Sequence, residues 1–303
     1  MKNWTLSAPE GFRLLPVIYS HGWFQCPPFH WDSETNALTR VLRLSSGDLT
    51  VLTLKEAAPG TLAMSSSADV SDSERDEIQR SVARILSFGL DLTPFYELCD
   101  GHETLERARR MGAGRLLRCP NLWEEMSKAI CGTNVQWTQA VSMMSKLAEL
   151  GDPAGDNRHA WPTPEQVAAA GTQRLRDHCR VGYRADYLAG LAESVAEGSL
   201  DVGPAERGEL SGDEIRKFFL SVKGIGKATA AYLTSLSGHF SDISIDSAVY
   251  AFTSKKYFGG RRPKDAEIVA LYKDFGEWKG LAYWLDSVIS AWWVSSGIAF
   301  DED

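Results

Sequence analysis

Residues 220–233, LSVKGIGKATAAYL, set two glycines, Gly224 and Gly226, between two lysines, Lys223 and Lys227, just ahead of an apolar-periodic run. Glycine accepts φ > 0 and leaves no side chain in the way, so both glycines are expected to shape a tight turn. The first N–H groups of the following helix have no intrahelical partner and lie at the positive end of its dipole. Such a turn suits an anion. Between two lysines it suits a nucleic-acid phosphate, gripped without any base being read. An ordinary αα-hairpin with a tight glycine turn fits the same residues. Twenty residues after Gly226 stands Asp246, at the head of "DSAVYAF". Aspartate before a helical run is a favoured N-cap, and a carboxylate is also a candidate for acid–base work.

The elements that must position these groups follow from periodicity. Residues 1 to about 70 read as β-rich, with "RVLRL" and "LTVLTL" alternating apolar and polar around the hairpin signal "SSGD". "SSSADVSDSERDE" changes the pattern, and from Glu74 onward almost every segment has helical period. Thr163 is the expected N-cap of "TPEQVAAAG", with Pro164 at its first position. "DEIRKFFLSV" and "KATAAYLTSLSG" are helices on either side of the glycine turn. The tail, "KGLAYWLDSVISAWWVSSG", reads as a packed core helix. This predicts an α+β chain with an N-terminal antiparallel β subdomain over 1–72 and a helical body over 73–303.

With 303 residues, 44% hydrophobic and 24% charged, the chain can bury one large core or two to three smaller ones. Its net charge of −8 excludes a global electrostatic clamp on nucleic acid, so any such face must be local. Cys26, Cys99, Cys119, Cys131 and Cys179 are scattered and odd in number, and the histidines have no ligand spacing. That pattern suggests neither a zinc site, an iron–sulfur cluster nor a disulfide framework, and it fits a reducing compartment. No run approaches the ~18 apolar residues of a membrane span, and the first residues lack a signal-peptide core. The expected protein is intracellular, cytoplasmic or at the nucleoid if bacterial, and makes no membrane contact.

The glycine turn followed by Asp246 resembles the signature of the HhH-GPD superfamily of DNA base-excision glycosylases. Three more segments resemble that superfamily in order. "SKAICGTNVQWTQA" and "RVGYRADYL" are similar to segments of its 8-oxoguanine branch, and "GWFQCPPFHWD" resembles, weakly, a motif of that branch's β domain. The resemblance implies a TBP-like β subdomain and a helical body in two lobes. One lobe would be 119–245 with the hairpin at 216–233, and the other 73–118 plus 246–303. It implies that Lys223, Gly224, Gly226 and Lys227 hold DNA and that Asp246 is catalytic. Asn134 would enter the gap left by a flipped base, Tyr183 would wedge at the lesion, and Arg184 would face the unpaired opposite base. Carbonyls of Leu220, Val222 and Ile225 could hold a structural monovalent cation, with no other cofactor. Tyr232, Trp292, Phe29 and Trp31 are candidates for the base pocket, although aromatic residues on apolar elements also suit a core.

Two departures bear on chemistry. Where bifunctional members carry a nucleophilic lysine, this chain has Ala228. Lys227 is one residue earlier, about 100° around the helix, so its amine is expected to face the backbone of DNA. The oxoguanine branch has a small residue where this chain has Tyr232. The expected activity is therefore monofunctional release of a damaged base, alkylated purines favoured, from double-stranded DNA by a monomer. A bifunctional oxoguanine-type glycosylase/lyase and a non-catalytic helix-hairpin-helix DNA-binding protein are the alternatives.

Overall fold

The structure is a computed structural model that describes residues 2–295, 297 and 298. Strands β1 (Lys2–Ser7), β2 (Phe29–Asp32), β3 (Ala37–Arg43), β4 (Leu49–Ala58) and β5 (Thr61–Ser66) form an antiparallel sheet in the order β1-β5-β4-β3-β2. The hairpin expected at "SSGD" joins β3 to β4, with the Leu44 amide bonded to the Asp48 carbonyl at 2.9 Å. Gly47 supplies the left-handed residue of that turn at φ +90°. Alternation decides which face is covered: Leu52 and Leu54 of β4 and Leu62 and Met64 of β5 point into the core.

Helices follow, and their starts are locally encoded. Ser71 with Glu74, Thr163 with Gln166 and Ser211 with Glu214 each close a capping box, satisfying amides that the helix leaves unpaired. Pro164 sits at the first position of its helix, as expected from the sequence. The Leu122–Cys131 helix is buried along its whole length, charged residues included. It is wired on two sides. Glu124 accepts from Arg40 of β3 at 3.0 Å and from Lys128 at 2.8 Å, and Glu125 accepts from Arg118 at 3.0 and 3.1 Å.

One hydrophobic cluster runs from the sheet through the helices. The Lys279–Ser287 helix continues into a widened π turn at Val288–Trp293. There the indoles of Trp284 and Trp293 donate to the Ser20 and Tyr19 carbonyls at 2.9 and 2.8 Å. The C-terminal segment is thus fastened to the segment that precedes β2. No described helix is long and apolar enough to cross a membrane.

Candidate active site

The glycine turn joins the Gly212–Ser221 and Lys227–Leu236 helices. Gly224 is left-handed at φ +97°, and a Cβ there would lie 2.8 Å from the Tyr187 ring. Conformation and close approach both demand glycine. Gly226 is different from expectation. Its φ is −88°, an extended conformation open to any residue, and no atom lies within 4 Å of where a Cβ would stand. The reason is local: Gly226 is the N-cap of the second helix, and N-caps are extended. What its missing side chain leaves clear is space outside the protein, in front of the unpaired amides. Lys223 and Lys227 are exposed on either side, while Val222 and Ile225 are buried and anchor the turn. Leu220, Val222 and Ile225 bracket the turn. The Val222 carbonyl accepts from Ile225 N at 3.1 Å and keeps its second lone pair, which is compatible with a cation. Among the described residues no group of His, Cys, Asp or Glu could hold a metal ion.

A side-chain tie links the hairpin to Asp246. Ser244 Oγ donates to the Ala228 carbonyl at 2.8 Å, in the first turn of the second hairpin helix. The same loop is clamped from the other side, where Gly280 N donates to the Phe240 carbonyl at 2.8 Å. A Cβ at Gly280 would lie 2.3 Å from the Asp242 carbonyl, so only glycine permits this approach. Asp246 Oδ1 accepts from Ala248 N at 2.8 Å and Val249 N at 3.0 Å, which makes it the cap of the Ser247–Tyr257 helix. Oδ2 has no hydrogen-bond partner among the described residues. Asp246 is exposed, because a cap at the end of a surface loop meets water unless a ligand covers it. Behind it, Asp286 is buried and accepts from Tyr257 at 2.5 Å, from Tyr272 at 2.9 Å and from Lys256, fixing the far end of the same helix.

Asn134 and Tyr183 do meet. Asn134 is exposed in a left-handed turn at φ +48°, and Tyr183 is 52% exposed. Hydrogen bonds from the Asn134 and Thr133 side chains hold the Tyr183 phenol below its usual pKa. Tyr183 also lies edge-on to Tyr187, ring centroids 6.0 Å apart, and Tyr187 is the ring under Gly224. Tyr183 and the hairpin therefore share one support, and nothing in the sequence marked Tyr187 as its centre. Arg184 departs from expectation. It is 6% exposed, and its guanidinium donates to Thr133 Oγ1 at 3.2 Å, to the Thr133 carbonyl and to the Val181 carbonyl at 3.3 Å. It points inward because its guanidinium finds three acceptors there, two on Thr133 and one on Val181.

Tyr232 stacks on Trp284 with centroids 5.6 Å apart and meets Trp23 and His21 edge-on. The Leu117 carbonyl can only accept, so its 2.7 Å contact puts the proton on His21 Nε2. Nδ1 is then an acceptor, 3.3 Å from the Tyr232 hydroxyl. Burial, opposed by the Leu117 bond, lowers the His21 pKa to about 4 and keeps it neutral at pH 7. Trp31 donates to Tyr19 Oη at 3.0 Å, and Trp292 leans on Phe24; both are half-buried. Phe29 is not available to a base. It is 4% exposed, with Arg40 4.5 Å and Lys128 4.9 Å from its ring centre, because the interior of β2 faces this buried charge seam.

The chain is 23% identical over 267 residues to a DNA-3-methyladenine glycosylase of Bacillus subtilis (strain 168), covering 83% of this chain and 86% of that relative. Its fold matches the 3-methyladenine DNA-glycosylase from Archaeoglobus fulgidus with a TM-score of 0.75 at 18% identity, over 93% of this chain and 97% of the other. The chain has the HhH-GPD fold. The same fold appears in an 8-oxoguanine glycosylase/lyase from Clostridium acetobutylicum, TM-score 0.72 at 14% identity over 96% and 97% of the two chains. No family model matches. The chain is thus similar to members of both branches that its sequence resembles, and its α+β architecture is theirs.

Proposed function

We propose that this chain is a DNA N-glycosylase that flips a damaged base from duplex DNA and hydrolyses its glycosidic bond. The observation that carries the reading is the Ser244–Ala228 bond, which brings the loop leading to the Asp246 carboxylate against the first turn of the phosphate-facing helix. Breaking an N-glycosidic bond builds positive charge on the sugar. A carboxylate beside that sugar stabilises the charge and can orient or deprotonate a water. Asp246 Oδ2, left over after capping, suits this role once DNA covers the site. The hairpin amides, Lys223 and Lys227 would hold a backbone phosphate, and Asn134 with Tyr183 would fill the gap in the duplex.

The reaction we infer is monofunctional. Ala228 offers no amine, and Lys227, at the first position of its helix, is exposed to the phosphate side. Without an amine at C1′ there is no Schiff base and no elimination by that route. Alkylated purines are the favoured substrates. The similarity to 3-methyladenine glycosylases supports this, as does the half-buried Tyr232–Trp284 stack, since electron-rich rings attract a cationic base. A monovalent cation on the hairpin carbonyls would serve the turn's geometry and take no part in bond breaking. The enzyme is read as a monomer acting inside the cell.

The test is a panel of duplexes, each with one lesion: alkylated purine, oxidised purine, ethenoadduct or uracil. The expected product is an intact abasic strand that breaks only after hot alkali, with no borohydride-trapped adduct. Trapping that disappears in Lys227→Ala would overturn the monofunctional reading. Absence of base release from every duplex, with DNA binding intact, would leave a non-catalytic DNA-binding protein.

A further inference from the structure

Inward-facing Arg184 leaves the wedge without the cation expected beside it, yet another arginine stands within three residues. Arg180 is exposed and left-handed at φ +57°. It stands two residues past His178, the C-cap of the Pro164–Asp177 helix, where Val181 N turns back to the Leu175 carbonyl at 3.4 Å. A Cβ in the left-handed region is costly, which is why such positions favour glycine. A strained residue at a prospective contact surface motivates a functional hypothesis. Nearby charges are otherwise engaged: Arg176 pairs with Asp186 at 2.6 Å and His178 with Glu149 at 2.8 Å. Arg180 has no ion-pair or hydrogen-bond partner among the described residues.

Resting on the DNA-binding reading above, we propose a division of labour between the two arginines. Arg180 is the cation presented to DNA beside the wedge, where it grips a backbone phosphate. Arg184 is a positioning residue that aims Tyr183 and Asn134 from beneath. Its guanidinium lies 4.6 Å from the centre of the Tyr183 ring while its donors fix the Thr133 backbone next to Asn134. A planar fork holds two loop ends and one ring at once; a lysine ammonium cannot. It follows that this chain does not read the opposite base through Arg184.

The experiment measures affinity for an abasic-site duplex with each of the four opposite bases, over a range of salt, so it needs no catalysis. Arg180→Gly should weaken binding about 3- to 10-fold for all four and lower the slope of log K on log salt by about one unit. The same variant should melt no lower than wild type, because glycine relieves the left-handed residue. Arg180→Lys should recover most of the affinity. Unchanged affinity and slope in Arg180→Gly, or a loss confined to one opposite base, would overturn the phosphate assignment. For Arg184→Lys, 2-aminopurine beside the abasic site should brighten less on binding, equally for all four opposite bases, while affinity for undamaged duplex stays within about two-fold. A loss of affinity with only one opposite base would mean that Arg184 reads it and would overturn the positioning role. If the wild type binds these duplexes but releases no base from any lesion, the glycosylase reading fails while both arginine assignments remain measurable.

Discussion

On the hairpin face Lys223, Lys227 and Asp246 stand in water; beneath the sheet Arg40, Glu124 and Lys128 are closed off from it. Both sets combine two cations with one carboxylate, and the physics is opposite. An exposed charge is well solvated and adds little to stability, so it is free to meet a phosphate or a developing cation. A buried charge must be paired or it costs several kcal/mol. In the seam, Glu124 sits between Arg40 at 3.0 Å and Lys128 at 2.8 Å, and the Lys128 ammonium lies 4.9 Å from the ring centres of Phe29 and Trp161. Burial alone would raise the Glu124 pKa; the charges of Arg40 and Lys128 outweigh it and bring it down to about 2. On the function proposed above, binding and chemistry rest on one set of charges and folding on another, and each should be breakable without the other.

Asp246→Asn should break the first most completely. Asn keeps the cap but not the charge, so single-turnover base release should fall by about 10²- to 10³-fold, comparable with loss of one electrostatic stabiliser of a transition state. Affinity for DNA should stay within a few-fold. Near-normal release would leave Asp246 as a cap and nothing more.

Glu124→Gln breaks the second. It strands two buried cations, at a cost of about 3–5 kcal/mol, read as a lower denaturation midpoint. Binding by the fraction still folded should be unchanged; a selective loss of DNA affinity would join the two regions that we separate. Acid separates them further. The Glu124 pKa is depressed in the folded state, so its contribution is present above its ordinary value of 4.5 and is lost as pH falls toward about 2. His21 is depressed too, from 6.5 to about 4, so its contribution is present above 6.5 and is lost as pH falls through that window. His21→Gln should flatten stability between about 6.5 and 4 and leave the lower arm; Glu124→Gln should do the reverse.

The two hairpin glycines sharpen the comparison inside one turn. Gly224→Ala must accept φ +97° and a contact with Tyr187, and should cost about 1–3 kcal/mol of stability. Gly226→Ala should cost no more than about 1 kcal/mol, for the poorer N-cap, but weaken binding to all duplexes alike, because its Cβ would stand where a phosphate approaches. A large drop in melting for Gly226→Ala would contradict its extended conformation. The smallest effect belongs to Lys227→Ala: about one unit off the salt slope at most, with the reaction product unaltered.

Much of this was legible locally. The capping boxes, the β3–β4 hairpin, the helix start at Lys227 and the cap at Asp246 are encoded within a few residues, where side chain and backbone meet by proximity in the chain. Arg184 and Phe29 were not. Arg184 was assigned to the site by its place in a motif and Phe29 was a pocket candidate weighed against a core reading; each turns into the interior, toward Thr133 in one case and toward Arg40 and Lys128 in the other. Tyr187, His21 and Trp23 carried no local signal, because their roles arise from contacts between segments far apart in sequence.

The sequence by itself determined the order of elements, the glycine turn between two lysines, the absence of an amine at Ala228 and the carboxylate that follows. These depend on residue type, periodicity and short-range hydrogen bonding. Only the tertiary structure decided which charges face water. It turned Arg184 inward and left Arg180 outside, freed Gly226 from any need for φ > 0, and set Tyr187 under both hairpin and wedge. The physical reason is that burial and pairing depend on which distant segments pack together, and a charge's chemistry depends on whether that packing removes it from water.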